Sequence, residues 1–141
     1  MTSTQYSILV VEDDEVDVAN IQRAFQKANL VNPMHFAGDG QEAIDMLNSG
    51  QIKNPLLILL DIKMPRKDGI EFLTELRTME SWNHVPVVML TTSNAEKDKL
   101  AAYNLNVSGY ILKPVSFADF VEVVTKVGSY WSLSQFPETK R

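Results

Sequence analysis

Four short runs of apolar residues constrain the fold of this chain more than any other feature of its sequence. They occupy residues 8–11, 56–60, 85–90 and 110–112, and within each run apolar residues follow one another without alternating with polar ones. Such runs are typical of strands buried on both faces, as in a parallel sheet covered by helices. Residues 34–37 form a weaker run between the first two. The sequence therefore predicts a parallel sheet of five strands.

The segments between these runs have the spacing of amphipathic helices. Apolar residues recur at three- and four-residue intervals, as at Val18, Ile21 and Phe25 after the first run, and this spacing predicts helices that pack one face on the sheet. Asn94 and Ser116 are expected to cap the last two helices, because their side chains can accept a hydrogen bond from the first helical turn. A strand followed by a helix, five times in succession, predicts an α/β fold.

Length and composition favour one domain in a cytoplasmic protein. The chain has 141 residues, a net charge of −5 and no cysteine, so we expect no disulfide, no thiolate metal site and no nucleic-acid partner. Its longest aliphatic run, residues 56–60, is far shorter than the ~20 residues that a membrane helix needs, and its first residues lack the features of a signal peptide. We expect a single domain over residues 1–141, with a core over 7–130 and an apolar C-terminal extension over 131–141.

Polar side chains follow four of the five predicted strands. Glu12 and Asp13 follow the first, Asp61 the third, Thr91 the fourth and Lys113 the fifth. Sites in open parallel sheets form at this end of the strands, and adjacent first and third strands would bring the three carboxylates together. Carboxylates crowded in this way repel one another, and hard oxygen ligands suit Mg²⁺ or Mn²⁺. Three negative charges would be balanced by the lysine and one divalent cation, both able to neutralise an incoming phosphoryl group.

Single residues of this set have simpler explanations. Asp14 is better explained as the cap of the first helix than as a participant in chemistry. A lone Asp61 would more often be a turn residue, and a lone Lys113 would more often be solvated. It is their combination at different strand ends that indicates a site. His35 and His84 lack the spacing of metal ligands, and we expect them on the surface or in packing contacts.

At these strand ends the chain resembles the response-regulator receiver family. The matching segments are residues 8–14, 60–65, 68–69, 89–92 and 109–114, in the order found in that family. The resemblance implies a flavodoxin-like (βα)5 fold, a doubly wound parallel five-stranded sheet in the order 2-1-3-4-5. It also implies a regulator that receives a phosphoryl group from a sensor histidine kinase in a two-component system, and not an enzyme.

The resemblance assigns a role to each residue of the predicted metal site. Asp61 would be the phosphoacceptor. The metal, Mg²⁺ or alternatively Mn²⁺, would be held by three carboxylates and one backbone carbonyl, from Glu12, Asp13, Asp61 and Lys63. Glu12 stands where the family more often has aspartate, and its contact with the metal would run largely through bound water.

Two further residues would complete the phosphoryl site, and one would report on it. Thr91 and Lys113 would bind the phosphoryl oxygens. The Thr91 hydroxyl is the donor expected to move toward the phosphoryl group, vacating space that the ring of Tyr110 would fill. The alternative is that Tyr110 simply lies on the surface beside the fifth strand.

A narrower resemblance concerns the two ends of the chain. Residues 12–17 at the start of the first helix and the pair Tyr130 and Trp131 resemble the small receivers paired with cyanobacterial phytochrome kinases, which are typically homodimers. We expect no DNA-binding output domain, and therefore output through protein contacts. Tyr130, Trp131, Leu133 and Phe136 would cover a partner or a second copy of the chain, unless they fold back on the last helix.

Three other functions compete with this interpretation. An aspartate-nucleophile phosphatase usually has a second acid two residues after the nucleophile as general acid–base, and that position is Lys63 here. A flavodoxin-like cofactor binder needs a phosphate-cradling loop after the first strand, where this chain has acids. An inactive receiver kept as an interaction scaffold would normally have lost one of the key residues, and none is missing.

Overall fold

A computed structural model describes residues 6–54 and 56–136 of the chain. Strands and helices alternate along these residues, as the apolar runs predict. The strands are β1 (Ser7–Val11), β2 (Met34–Ala37), β3 (Leu56–Leu60), β4 (Val87–Thr91) and β5 (Gly109–Leu112). The helices are α1 (Glu15–Lys27), α2 (Gly40–Asn48), α3 (Gly69–Leu76), α4 (Glu96–Asn104) and α5 (Phe117–Leu133). None of these helices is both long and apolar enough to cross a membrane.

The five strands form one parallel sheet in the order β2-β1-β3-β4-β5, which confirms the expected order. Alternate residues of each strand face opposite layers of helices. Leu9 and Val11 belong to the core shared with α2, α3 and α4, whereas Ile8 and Val10 belong to the core shared with α1 and α5. Both faces of β1 are therefore buried, which is why its sequence is continuously apolar.

The structure corrects the start of the fourth strand. The apolar run begins at Val85, but β4 begins at Val87. Pro86 has no N–H to donate to a neighbouring strand, and only its carbonyl takes part, accepting a hydrogen bond from the Ile58 N–H at 3.1 Å. Val85 is buried all the same. Its apolar side chain therefore reflects burial and not membership of the strand.

One of the two predicted helix caps is correct. Ser116 caps α5, and its hydroxyl accepts a hydrogen bond from the Asp119 N–H at 3.1 Å. Asn94 does not cap α4, because the chain stays extended for one more residue and Ala95 occupies the cap position without a side-chain hydrogen bond. The N–H of Ala95 instead donates to the Ser93 hydroxyl. A local turn thus competes successfully with the asparagine cap.

The apolar residues near the C-terminus divide between two environments. Helix α5 continues to Leu133. Trp131 and Phe136 pack against the core beneath α1 and α5, with the Phe136 ring stacked on Tyr6 at 5.5 Å between centroids. Tyr130 and Leu133 stay 63% and 83% exposed. Two of the four residues thus fold back and two remain exposed, whereas residues 137–141 of the extension lie outside the described residues.

Candidate functional site

The register of the central strands places Glu12 beside Asp61. Val11 pairs with Leu60, so the next residue of each strand lies at the same carboxyl edge of the sheet. The ladder continues one step past the strands, since the Glu12 N–H donates to the Ala37 carbonyl at 2.9 Å and the Asp61 N–H to the Val11 carbonyl at 3.0 Å. Both carboxylates are therefore attached to a rigid backbone.

Three carboxylates converge at this edge. Glu12, Asp13 and Asp61 each offer an oxygen that lies within 4.8 Å of the other two. Glu12 and Asp61 are buried, whereas Asp13 is exposed. Hard oxygen donors with one open side fit Mg²⁺ or Mn²⁺, which keep several bound waters. The side chain of Lys63, next but one after Asp61, is exposed, and the role expected for its carbonyl stays a prediction.

Lys113 connects these acids to a fourth one. Its ammonium group donates hydrogen bonds to the carboxylates of Glu12 at 2.5 Å, Asp17 at 2.6 Å and Asp61 at 3.3 Å. The lysine side chain is 5% exposed, so an ordinary solvated surface lysine is excluded. The backbone N–H of Lys113 also donates to the Thr91 carbonyl at 2.8 Å. This bond fixes the backbone at the end of β5, from which the lysine side chain extends to the acids.

The electrostatics of the site follow from this burial. Burial and the nearby charge of Asp61 raise the pKa of Glu12 to about 7, although the hydrogen bond from Lys113 opposes the rise. Burial alone would lower the pKa of Lys113, but its hydrogen bonds with Asp17 and Glu12 outweigh that effect and raise the pKa above the usual value. The lysine is therefore a permanent cation, and the surrounding carboxylates still outnumber it. A divalent cation would relieve that imbalance.

The two residues expected to form the switch meet at Ser93. Thr91 is fully buried at the end of β4, and its hydroxyl accepts a hydrogen bond from the Ser93 N–H at 3.2 Å. The Tyr110 hydroxyl donates to the Ser93 carbonyl at 2.9 Å, and its ring packs against the core. Tyr110 is therefore half-buried and does not lie free on the surface.

Of the two aspartates at the start of α1, the sequence predicted the role of Asp14 but not the contact of Asp17. Asp14 caps the helix, with its carboxylate accepting hydrogen bonds from the N–H groups of Val16 and Asp17, as expected. The contact of Asp17 with Lys113 was not anticipated. The available signal was the cap itself, because a helix that begins after Asp14 places Asp17 in its first turn, beside the end of β1.

Comparison with known proteins assigns the family. The model of the response regulator receiver domain matches residues 8–125, which include the residues of this site and all five strands except Ser7, the first residue of β1. This chain belongs to the response regulator receiver family. The flavodoxin-like fold expected from the sequence is thereby confirmed, and receiver domains act in two-component systems, bind a divalent metal and accept phosphoryl groups from histidine kinases.

The receiver is similar in sequence to regulatory proteins from two different organisms. Response regulator Rcp1 of Synechocystis sp. is 35% identical over 128 residues, covering 88% of this chain and 87% of Rcp1. The probable methanogenesis regulatory protein FilR2 of Methanothrix harundinacea is 35% identical over 129 residues, covering 89% of this chain and 83% of FilR2.

Solved structures agree over nearly the whole chain. The phosphorylated cyanobacterial phytochrome response regulator RcpA has a TM-score of 0.85 and 32% identity, with 96% of this chain and 100% of that chain covered. The Mn²⁺-bound form of Rcp1 has a TM-score of 0.82 and 33% identity, with 95% and 99% covered. A similar protein therefore binds a divalent cation of the kind that the acidic cluster fits.

Proposed function

We propose that this receiver, as a single domain, accepts a phosphoryl group on Asp61 from a sensor histidine kinase in a Mg²⁺-dependent reaction. One observation carries the proposal. The Asp61 carboxylate lies in the three-acid cluster, with ligand oxygens within 4.8 Å of one another, and it accepts hydrogen bonds from the Ile62 N–H at 2.7 Å and from the Lys113 ammonium at 3.3 Å. A nucleophile flanked by a cation site and a buried lysine is suited to phosphoryl transfer.

In the reaction, an Asp61 oxygen forms a bond to phosphorus as the bond from phosphorus to the kinase histidine nitrogen breaks. The electron pair leaves with the histidine. Glu12, Asp13 and the Lys63 carbonyl, together with Asp61, would hold a divalent cation, which when bound would supply positive charge to the carboxylates and phosphoryl oxygens. Lys113 supplies a second positive charge to the phosphoryl group.

The proposal is tested by intact mass after incubation with acetyl phosphate, a small phosphoryl donor. We expect the wild type to gain the mass of one phosphoryl group in the presence of Mg²⁺ and not after chelation. Asp61→Asn keeps the size of the side chain but removes the nucleophile, so it should gain nothing. Asp68→Asn is a matched control, because Asp68 caps α3 at the other end of the same loop.

Two outcomes would favour other functions. No adduct on a folded wild type that binds Mg²⁺, with hydrolysis shown to be slower than detection, would favour the scaffold. Release of phosphate from many equivalents of donor, faster than the isolated adduct hydrolyses, would favour a phosphatase, although Lys63 stands where its general acid would be. We propose that the receiver is not an enzyme in this sense.

We propose further that the response spreads from Thr91 to Tyr110. Phosphorylation adds about −1.5 to −2 charges and three acceptor oxygens, and the Thr91 hydroxyl is a donor at the adjacent strand end. That hydroxyl accepts a hydrogen bond from the Ser93 N–H, and the Tyr110 hydroxyl donates to the Ser93 carbonyl. Ser93 therefore links Thr91 to the Tyr110 ring, and a movement of Thr91 would be passed on through it.

The similarity to RcpA and Rcp1 supports a kinase partner of the phytochrome class. RcpA is described as a cyanobacterial phytochrome response regulator. FilR2 is as similar in sequence, so the test must compare kinases directly. We expect phosphotransfer from a purified phytochrome kinase to be faster than from kinases of other classes, and equal rates would contradict the pairing.

We also propose that the receiver forms a homodimer and signals through protein contacts in the cytoplasm. The exposed Tyr130 and Leu133 on the last turns of α5 support an apolar contact with a second copy. Sedimentation equilibrium at micromolar concentration should give a dimer that Leu133→Asp dissociates. A monomer in the wild type, with and without a phosphoryl mimic, would contradict it.

A further inference from the structure

The three hydrogens of the Lys113 ammonium have three carboxylate partners. Lysine offers three donors and no acceptor, and those donors point to Glu12, Asp17 and Asp61. The contact with Asp17 is 2.6 Å long, whereas the contact with Asp61 is 3.3 Å. The ammonium therefore lies closer to the helix carboxylate of Asp17 than to the carboxylate of Asp61.

Asp17 contacts Lys113 from helix α1, whereas Glu12 and Asp61 follow strands β1 and β3. It belongs to the first turn of α1, and its side chain is 27% exposed, whereas that of Glu12 is 3% exposed. A phosphoryl group on Asp61 needs the positive charge that Asp17 already uses. Lys113 must weaken one of its present contacts to serve the new oxygens fully, and the partly solvated one is released most easily.

Asp17 also changes the charge of the site. The three acids of the metal cluster and Lys113 would be balanced by one divalent cation, but Asp17 adds a fourth carboxylate in contact with the same lysine. An additional negative charge attracts a divalent cation and repels a phosphoryl group. The charge of Asp17 therefore favours binding of the cation and opposes entry of the phosphoryl group at the same site.

We propose that Asp17 is a positioning residue that holds Lys113 back from Asp61, so that it slows phosphoryl entry while it strengthens binding of the divalent cation. This inference rests on the proposed function of Asp61. It assigns a regulatory part to a side chain outside the metal cluster and outside the residues that meet the phosphoryl group.

The test compares Asp17→Asn with Glu15→Gln. Glu15 is an exposed acid in the same helical turn, so its variant removes the same charge nearby without touching Lys113. Isothermal titration with MgCl₂ gives the Kd of the cation. Initial rates of adduct formation from acetyl phosphate, followed by intact mass at Mg²⁺ concentrations that saturate each variant, give the rate of phosphoryl entry independently of metal affinity.

We expect Asp17→Asn to raise the Mg²⁺ Kd and also the initial rate, each by roughly threefold to tenfold for the loss of one charge at this range. Glu15→Gln should change both by less than about twofold, because exposed charges are screened. Asp17→Glu, which keeps the charge, should return both quantities toward the wild type. A merely structural defect would not make metal binding weaker and phosphoryl entry faster.

Three results would overturn the inference. If Asp17→Asn matches Glu15→Gln in both the Mg²⁺ Kd and the initial rate, the contact of Asp17 with Lys113 has no effect beyond that of any nearby charge. If Asp17→Asn slows phosphoryl entry, Asp17 prepares the lysine and does not restrain it. If wild-type protein forms no Mg²⁺-dependent adduct, the proposed function fails first and this inference falls with it, so the two failures are distinguishable.

Discussion

The backbone of Gly69, the first residue of α3, lies directly against the carbonyl of Asp61. A Cβ atom at Gly69 would stand 2.1 Å from the Asp61 carbonyl oxygen, and the Gly69 N–H donates to the Ile62 carbonyl at 2.8 Å. Only a residue without a side chain allows this approach. The loop that carries Asp61, the proposed phosphoacceptor, is therefore closed by a contact between two backbones, which cannot relax as a flexible side chain can.

We predict that Gly69→Ala lowers the free energy of unfolding by about 1–3 kcal/mol, the usual cost of overpacking, and also slows adduct formation on Asp61. Urea denaturation and the acetyl phosphate assay measure the two effects. Gly109→Ala is the control, because the nearest atom to its added Cβ would be 3.9 Å away. Equal stability of the two variants would contradict the prediction.

The fold and most of the site were predictable because their signals are local. Continuous apolar runs indicate strands buried on both faces, and residues just after parallel strands share one edge of the sheet, as Glu12 and Asp61 do. The contact of Asp17 with Lys113 has no such signal, because Asp17 lies in α1 and does not directly follow a strand. It depends on the rotation of α1 about its axis, which is set by packing against the sheet and α5.

The C-terminal residues show again that tertiary packing decides which side of a helix is buried. Tyr130 and Trp131 are adjacent in sequence and both aromatic, yet successive helical residues point about 100° apart. One therefore faces solvent while the other packs on the core. Composition indicated that this segment is apolar, but only the tertiary packing decides which residue is buried.

We predict that Phe136→Ala lowers the free energy of unfolding by about 1–3 kcal/mol, because it removes the ring that stacks on Tyr6 and contacts Trp131. Leu133→Ala removes a side chain that is 83% exposed, and its effect on the monomer should stay within about 0.5 kcal/mol. Urea denaturation at a concentration that keeps the protein monomeric checks both. A negligible cost for Phe136→Ala would mean that the segment is not attached to the core.

We predict that Asp39 titrates below the ordinary range of an aspartate. The hydrogen bond from Arg66 lowers the pKa of Asp39 against the opposing effect of burial. Because the native pKa is lowered, the stability carried by this pair is complete above the unfolded pKa of about 3.9 and is lost as the pH falls through the native pKa. NMR titration of the Asp39 side-chain carboxyl measures this pKa. Arg66→Gln should move the midpoint up toward 3.9, and an unchanged midpoint would exclude the ion pair in solution.

We predict that Thr91→Ala still forms the phosphoryl adduct, although more slowly, while the response at Tyr110 is lost. Thr91 would supply a donor at the site, and it shares Ser93 with Tyr110, but Asp61, the proposed nucleophile, and Lys113 remain in the variant. Fluorotyrosine incorporated at Tyr110 reports through its ¹⁹F resonance, which should shift on phosphorylation of the wild type and stay nearly fixed in the variant. Thr92→Ala is the matched control, since Thr92 is exposed beside it and should leave the shift intact. A full shift in phosphorylated Thr91→Ala would show that the signal reaches the ring by another route, because the variant has no hydroxyl to move.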